Sequence, residues 1–346
     1  SNLIELFSRS VEEKEISHYL FHGPPGTGKT SSILAIGREI FQEHFSQRVF
    51  EFNASDDRGI NVVRDKITKK AKKAVSPLMC QDGSMSPGYK IIILDEADSM
   101  TEEAQDALRV IIERYSPVTR FCFICNYINK ITSAIRSRCS EVFFKKLEPA
   151  QMSERLGEIS IKEEMEVGDE ILETIVKVSN GDMRKAITAL YNLKSIQDFR
   201  RIRNRPLEET PTNDFELLRD IMIDDRISVE EVTPQDIYDM EAVISAEEAS
   251  SIIDQVLKCK RVIDINRIVK EIISRGKPID HVMYQINDAL VTHPRLSDEQ
   301  RSVIFVYSMQ IFTRLKNSAS EHVQLLDYLS SIQGVYRKSS CYSVRC

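Results

Sequence analysis

The stretch Gly23-Pro24-Pro25-Gly26-Thr27-Gly28-Lys29-Thr30, followed by Ser31, decides the fold. It fits the pattern G-x-x-x-x-G-K-[ST] in full, directly after the apolar run Tyr19-Leu20-Phe21 and directly before the helical pattern of residues 31–40. A strand, a glycine-rich loop and a helix in that order turn backbone N–H groups toward an anion, and the helix N-terminus adds partial positive charge. Lys29 is then placed to contact the β- and γ-phosphates of a nucleotide, and the Thr30 hydroxyl to ligate Mg²⁺. The competing reading is a Gly-Pro turn with an incidental lysine.

Downstream, Ile91-Ile92-Ile93-Leu94-Asp95-Glu96-Ala97-Asp98 puts two carboxylates at the end of an apolar strand, where open α/β sheets bind ligands. Asp95 can hold the water shell of Mg²⁺, and Glu96 can orient and deprotonate an attacking water, so hydrolysis is expected as well as binding. Asp98 is read as the cap of the next helix.

Around these motifs, short apolar runs at 18–22, 49–53, 90–94, 120–126 and 141–144 alternate with segments of helical period. That alternation predicts a parallel sheet with crossover helices. The run 90–94 is apolar on successive residues and is expected mid-sheet, covered on both faces. Past Leu147-Glu148-Pro149 the strand-like runs stop and helical patterning takes over. Residues 198–230 are polar, with the basic run Arg200-Arg201-Ile202-Arg203 and two prolines, and read as an insertion or linker; helical patterns resume from about 243. The expected domains are therefore an α/β nucleotide-binding domain at 1–146, a small all-helical domain at 147–240 and a second all-helical domain at 241–346.

Bulk composition sets limits. With 346 residues and 42% hydrophobic content, the chain is long enough for two or three cores. A formal net charge of -6 argues against a surface that traps nucleic acid everywhere, so any DNA contact is expected to be local. The seven cysteines lack the regular spacing of a disulfide framework and fit a reducing compartment. Cys122 and Cys125 are a tempting metal pair, but three residues apart on a strand they point to opposite faces. No apolar run reaches the roughly 18–20 residues of a membrane span, so no membrane partner is expected.

The lysine loop and the Asp-Glu pair place the chain among P-loop NTPases, and further phrases resemble the AAA+ clamp-loader family, specifically the small subunits of eukaryotic replication factor C. They are Phe52-Asn53-Ala54-Ser55-Asp56-Asp57-Arg58-Gly59-Ile60, Leu94-Asp95-Glu96-Ala97-Asp98-Ser99-Met100, Thr119 to Asn126, Ile135-Arg136-Ser137-Arg138-Cys139 and Asn180-Gly181-Asp182-Met183-Arg184-Lys185-Ala186. The resemblance implies a P-loop AAA+ domain with a parallel sheet and flanking helices, then a helical lid and a helical collar. It implies ATP and Mg²⁺ as cofactors, and a nuclear protein working beside other AAA+ clamp-loader subunits in a hetero-oligomer. Its further partners are a ring-shaped sliding clamp and primer-template DNA. By the same resemblance Arg138 is an arginine finger projecting into the neighbour's ATP site, with a structural salt bridge as the competing reading. Asn126, ending a strand next to the one bearing Asp95, is a polar sensor of the γ-phosphate or lytic water, with a structural strand-end amide as the alternative. Arg184 reaches from the lid to the nucleotide, against an ordinary helix-surface arginine. Arg136 is read as structural.

Six basic residues fall between Arg64 and Lys73, and Lys66, Lys69, Lys70 and Lys73 share one helical face. That stripe suits phosphate-backbone contact; a solvated charged face is the alternative. The resemblance adds Arg58 and Arg64 as DNA-facing, and Arg109 where the family usually shows two consecutive arginines and this chain has Arg109-Val110. Recognition is expected to follow backbone geometry, since no base-reading motif is visible. The family's stretch ending in Tyr-Arg-Pro, which helps close over adenine, would lie before the first residue here. Two rivals stay open at this point: a homohexameric AAA+ DNA-remodelling motor, and a scaffold subunit in which nucleotide only locks an interface.

Overall fold

Five apolar runs become five strands, each within a residue or two of its expected bounds: β1 (Tyr19–His22), β2 (Val49–Asn53), β3 (Lys90–Asp95), β4 (Thr119–Cys125) and β5 (Ser140–Phe143). The computed structural model describes residues 2–55, 60–81, 83–165, 167–203, 232–317 and 319–342. All four strand pairings are parallel, and the order across the sheet is β2-β3-β4-β1-β5. The helices of this part include α1 (Asn2–Glu12), α2 (Lys29–Phe41), α3 (Ile60–Lys72), α4 (Glu102–Tyr115) and the single turn α5 (Ser133–Arg136), with a further single turn at Phe45–Arg48 just before β2.

The expected double burial of β3 follows from its place inside the sheet. Ile91 and Ile93 pack with Phe21, Ile33 and Ile40 on one face, while Ile92 and Leu94 pack with Ile67, Leu108 and Ile111 on the other. Each such side chain contributes about 1.5–3 kcal/mol relative to exposure. Cys122 and Cys125 fall into opposite layers, as the strand period requires, and burial pushes the Cys125 thiol up to about 12. Neither is set up as a ligand.

By internal contacts the chain divides into two compact units, Ser1–Glu163 with Ser179–Thr188, and Glu164–Val178 with Ala189–Cys346. The helices after the sheet are α6 (Pro149–Lys162), α7 (Asp169–Ser179), α8 (Met183–Arg203), α9 (Pro234–Met240), α10 (Ala246–Lys258), α11 (Val262–Ser274), α12 (Ile279–Thr292), α13 (Asp298–Lys316) and α14 (Glu321–Tyr342). The second unit closes over Ile253, Val256, Val282, Met283, Ile286 and Leu329, all fully buried. Within that core the Tyr328 hydroxyl donates to Asn287 Oδ1 at 2.7 Å. Thr233 and Ser297 begin α9 and α13 with capping boxes. One expectation is corrected: α8 continues to Arg203, so the start of the segment read as an insertion is helical, because its first breaker is Pro206. Residues 204–231 lie outside the described residues. No helix among the described residues is long and apolar enough to cross a membrane.

His18, just before β1, accepts a hydrogen bond at Nδ1 from the Phe121 N–H at 3.1 Å, which requires a neutral ring protonated on Nε2. Burial, and after it the neighbouring Arg120, lower its pKa from 6.5 to about 4. Folding therefore favours the neutral form. The resulting stability is complete above the unfolded value and is lost as pH falls from 6.5 toward 4. Chemical denaturation between pH 7 and pH 4.5 should show the parent losing stability more steeply than His18→Gln, whose amide oxygen accepts from Phe121 without titrating. Parallel profiles would count against it.

Candidate functional site

β1 ends at His22 and the chain turns through the glycine loop into α2, whose N-cap is Gly28, with no side-chain cap. The first helical amide to find its acceptor is Ser32, bonded to the Gly28 carbonyl at 2.9 Å. The N–H groups of Lys29, Thr30 and Ser31 thus have no acceptor within the helix. A Cβ on Gly28 would meet nothing within 4 Å, so the outer side of the loop is open. Gly26 is different. Its φ is +68°, and a Cβ there would lie 1.7 Å from Asp182 Oδ1. Only glycine lets the loop touch this second element, which the Met183 N–H also joins to the Gly26 carbonyl at 3.1 Å.

Lys29 is 7% exposed. Its Nζ donates to the carbonyls of Gly23 at 2.8 Å and Pro24 at 2.7 Å, and to Asn126 Oδ1 at 3.1 Å. Three acceptors match the three donors of an ammonium. Burial lowers its pKa, the charge of Asp95 opposes that shift, and Arg184 adds to it. Beside it the Thr30 hydroxyl donates to Asp95 Oδ2 at 2.8 Å, while Asp95 Oδ1 accepts from the Glu96 N–H at 2.8 Å. A hydroxyl and a carboxylate in contact are the hard oxygen donors that suit a Mg²⁺ retaining most of its water. The open loop, the unpaired amides and this oxygen pair fit a magnesium-bound nucleotide.

Glu96 is exposed, and its carboxylate has no hydrogen bond or ion pair among the described residues. Its backbone sits at φ 53°, a left-handed conformation that costs a non-glycine residue about 1–3 kcal/mol. Asn126 directly follows β4, next to β3 with Asp95, as expected. Asp98 is not the helix cap: it accepts from the Tyr127 N–H at 3.2 Å, and Thr101 caps α4 by accepting from Ala104 at 3.3 Å. Three residues nearer the helix, Thr101 is the better placed of the two. Asp182 went unread in the sequence, although an acid just before Met183-Arg184 is a cap signal; its Oδ1 accepts from the N–H groups of Arg184 at 2.9 Å and Lys185 at 3.1 Å. Arg184 is exposed in the turn so fixed.

Arg138 is not part of this cluster. It lies just before β5, at the edge where the parallel strands begin, whereas the lysine loop leaves the edge where they end. There it lines a cleft of about 690 Å³ with Arg9, Ser10, His18 and Arg120. Arg136, read as structural, pairs with Glu141 at 2.8 Å.

Among the basic residues, Lys66, Lys69 and Lys70 are exposed on α3, opposite buried Ile67 and Ala71. Lys70 Nζ stands 4.3 Å from the centre of the Phe50 ring. Lys73 is exposed but lies beyond the helix, which ends at Lys72; its carbonyl accepts from the buried Lys90 ammonium. Burial lowers the pKa of Lys90 to about 8, with Lys73 contributing. Arg109 lies on α4 with Nη1 4.0 Å from Glu113 Oε1. Arg58 and the side chain of Arg64 lie outside the described residues.

A nucleotide loop, an acidic strand end and a polar strand end on this parallel sheet define a P-loop ATPase of the AAA class. Residues 19–147 match the family described as "ATPase family associated with various cellular activities (AAA)", and residues 154–191 match the "RCF1/5-like, AAA+ ATPase lid domain". A replication factor C small subunit of Acanthamoeba polyphaga mimivirus is 50% identical over 96% of this chain and 92% of that protein. Replication factor C subunit 4 of Homo sapiens is 37% identical over 95% of this chain and 82% of its own length. Subunit 2 of Saccharomyces cerevisiae is 34% identical, over 95% and 86%. The chain belongs to the family of replication factor C small subunits.

Gly26→Ala is expected to lower stability by about 1–3 kcal/mol through the positive φ alone, and further by displacing Asp182. Nucleotide affinity, read by titration calorimetry, should fall with it. Adding Asp182→Gly should recover the steric share only. A Gly26→Ala protein with parental stability and affinity would contradict the contact.

Proposed function

We propose that the chain is the ATP-binding and ATP-hydrolysing subunit of a heteropentameric loader that places a ring-shaped sliding clamp on primer-template junctions during DNA replication and repair, in the nucleus. The observation that carries this reading is the division of one site between two edges of the sheet. Lys29, Thr30, Asp95 and Asn126 converge at one edge, and Arg138 stands at the other, away from that cluster. In this reading the domains keep the bounds 1–146, 147–240 and 241–346, as nucleotide domain, lid and collar.

ATP sits in the loop from Gly23 to Ser31, its anionic oxygens on the free amides at the start of α2. Thr30 and Asp95 would hold Mg²⁺, which would supply charge neutralisation at the phosphates. Lys29 exchanges neutral carbonyl acceptors for phosphate oxygens, and charged acceptors make stronger bonds. Asn126 holds the lytic water in line with the γ-phosphorus. Glu96 takes a proton from that water as its oxygen bonds to phosphorus; the bond to the β,γ-bridging oxygen breaks, and ADP and phosphate are left. Arg184 answers the phosphate charge from the lid. Arg138 of the adjoining subunit stabilises the charge spread over the equatorial oxygens. DNA backbone phosphates meet Arg58, Arg64, Lys66, Lys69, Lys70, Lys73 and Arg109.

Glu96→Gln should bind ATP as the parent does while hydrolysis by the assembled complex falls by about 10²–10⁴-fold. Lys29→Ala should lose ATP binding itself. Unchanged hydrolysis in both would favour a scaffold in which nucleotide only locks an interface.

Arg138→Ala should leave ATP binding by its own chain intact and slow the neighbour's site by about 10³–10⁵-fold. Mixed complexes in which only the neighbour's site is active measure this. Native mass spectrometry of the same preparations should find one copy among four other AAA+ subunits; a homohexamer would indicate a motor.

A further inference from the structure

Arg138 is held in place by its own subunit. Nε donates to Glu113 Oε1 at 2.9 Å, Nη2 donates to the same oxygen, and Nη1 donates to the Ala134 carbonyl at 2.7 Å and to Ser137 Oγ at 3.2 Å. A guanidinium has five N–H donors, so this arrangement uses four and leaves one on Nη2. A phosphate gripped by two parallel N–H bonds needs two donors along one edge of the fork. The Nε–Nη2 edge is taken by Glu113, and both donors of Nη1 are taken by α5 and the residue after it. Arg138 therefore cannot hold Glu113 and grip a phosphate with two bonds at once.

We propose that Glu113 is a positioning residue that latches Arg138 away from the neighbouring ATP until a phosphate displaces the carboxylate. The proposal rests on the reading of Arg138 as the arginine acting in the neighbour's site. Three features fit an exchangeable latch. Both side chains remain partly open, 46% for Glu113 and 32% for Arg138, so solvent screens the pair and its hold is modest. Glu113 comes from α4 and Arg138 from the turn after α5, so the pair spans two elements and responds to any shift between them. The other cation near this carboxylate, Arg109, is 4.0 Å away, so Arg138 is its principal partner. Neighbouring Arg136 is satisfied separately by Glu141.

The test uses the complex reconstituted from this chain and its co-purifying subunits, without DNA, with every site silenced by lysine-loop substitution except the one that Arg138 faces. Glu113→Gln keeps the shape and removes the charge. It should raise ATP hydrolysis at that site by about two- to five-fold with KM unchanged, the range that loss of an exposed ion pair supports. Glu113→Asp should return the rate toward the parent's. Glu113→Gln combined with Arg138→Ala should be no faster than Arg138→Ala alone, since the latch acts only through that arginine. Glu141→Gln, which breaks the adjacent pair, should leave the rate unchanged. A Glu113→Gln complex no faster than the parent, with Arg138→Ala still costly, overturns the latch and leaves the trans reading standing. An Arg138→Ala complex as active as the parent overturns both.

Discussion

Parallel strands impose the constraint on which everything else here depends. They all begin at one edge of the sheet and all end at the other. Four strand residues at about 3.3 Å each separate the edges by roughly 13 Å even in the shortest strand. Residues following strands share one edge, so the lysine loop after β1, Asp95 closing β3 and Asn126 after β4 meet there. The order β3-β4-β1 seats Asn126 between the loop and the acid, which is why its amide reaches Lys29 at 3.1 Å. Arg138 precedes a strand and is committed to the opposite edge. No local adjustment brings it to the lysine loop, and this separation is what supports the proposed role of Arg138 in a neighbouring site.

The loop edge is also arranged electrostatically. Burying an ammonium is costly unless its donors are satisfied, and Lys29 satisfies them with two carbonyls and an amide oxygen. Asp95 works in the same direction as those bonds, and Arg184 works against it. The cluster holds two cations close together around space suited to an anion. In the proposed reading, a polyphosphate entering there would relieve the repulsion between Lys29 and Arg184.

Much of this was legible in the sequence, because strand period and glycine spacing are local signals. Five strand bounds, the double burial of β3, the opposite facing of Cys122 and Cys125, and the placement of Asn126 beside Asp95 all follow from patterns within a few residues. What escaped depends on residues far apart in the chain. The partner of Asp98 is Tyr127, the neighbour of Gly26 is Asp182, and the partner of Arg138 is Glu113; no local pattern pairs them. The end of α3 at Lys72 was missed for a similar reason. The carbonyl of Lys73 is claimed by Lys90 from the sheet below. The extension of α8 to Arg203 was misread because a run of arginines looks like a linker, although arginine is a good helix former.

The basic stripe on α3 shows how far charge alone can be read. Lys69, Lys70 and Lys72 occupy the last turn, where cations complement the negative end of the helix dipole. Their presence has a structural reason before any DNA is considered, and Lys70 gains a further one from the Phe50 ring. Lys66 stands a turn earlier, where the dipole's influence has faded, and it is exposed on the same side as Lys69 and Lys70. The helix end accounts for three of these charges, and Lys66 has an interaction of its own within the protein. Charge on this helix therefore has causes inside the protein at each described lysine, and a stripe of like charge does not by itself specify an outside partner.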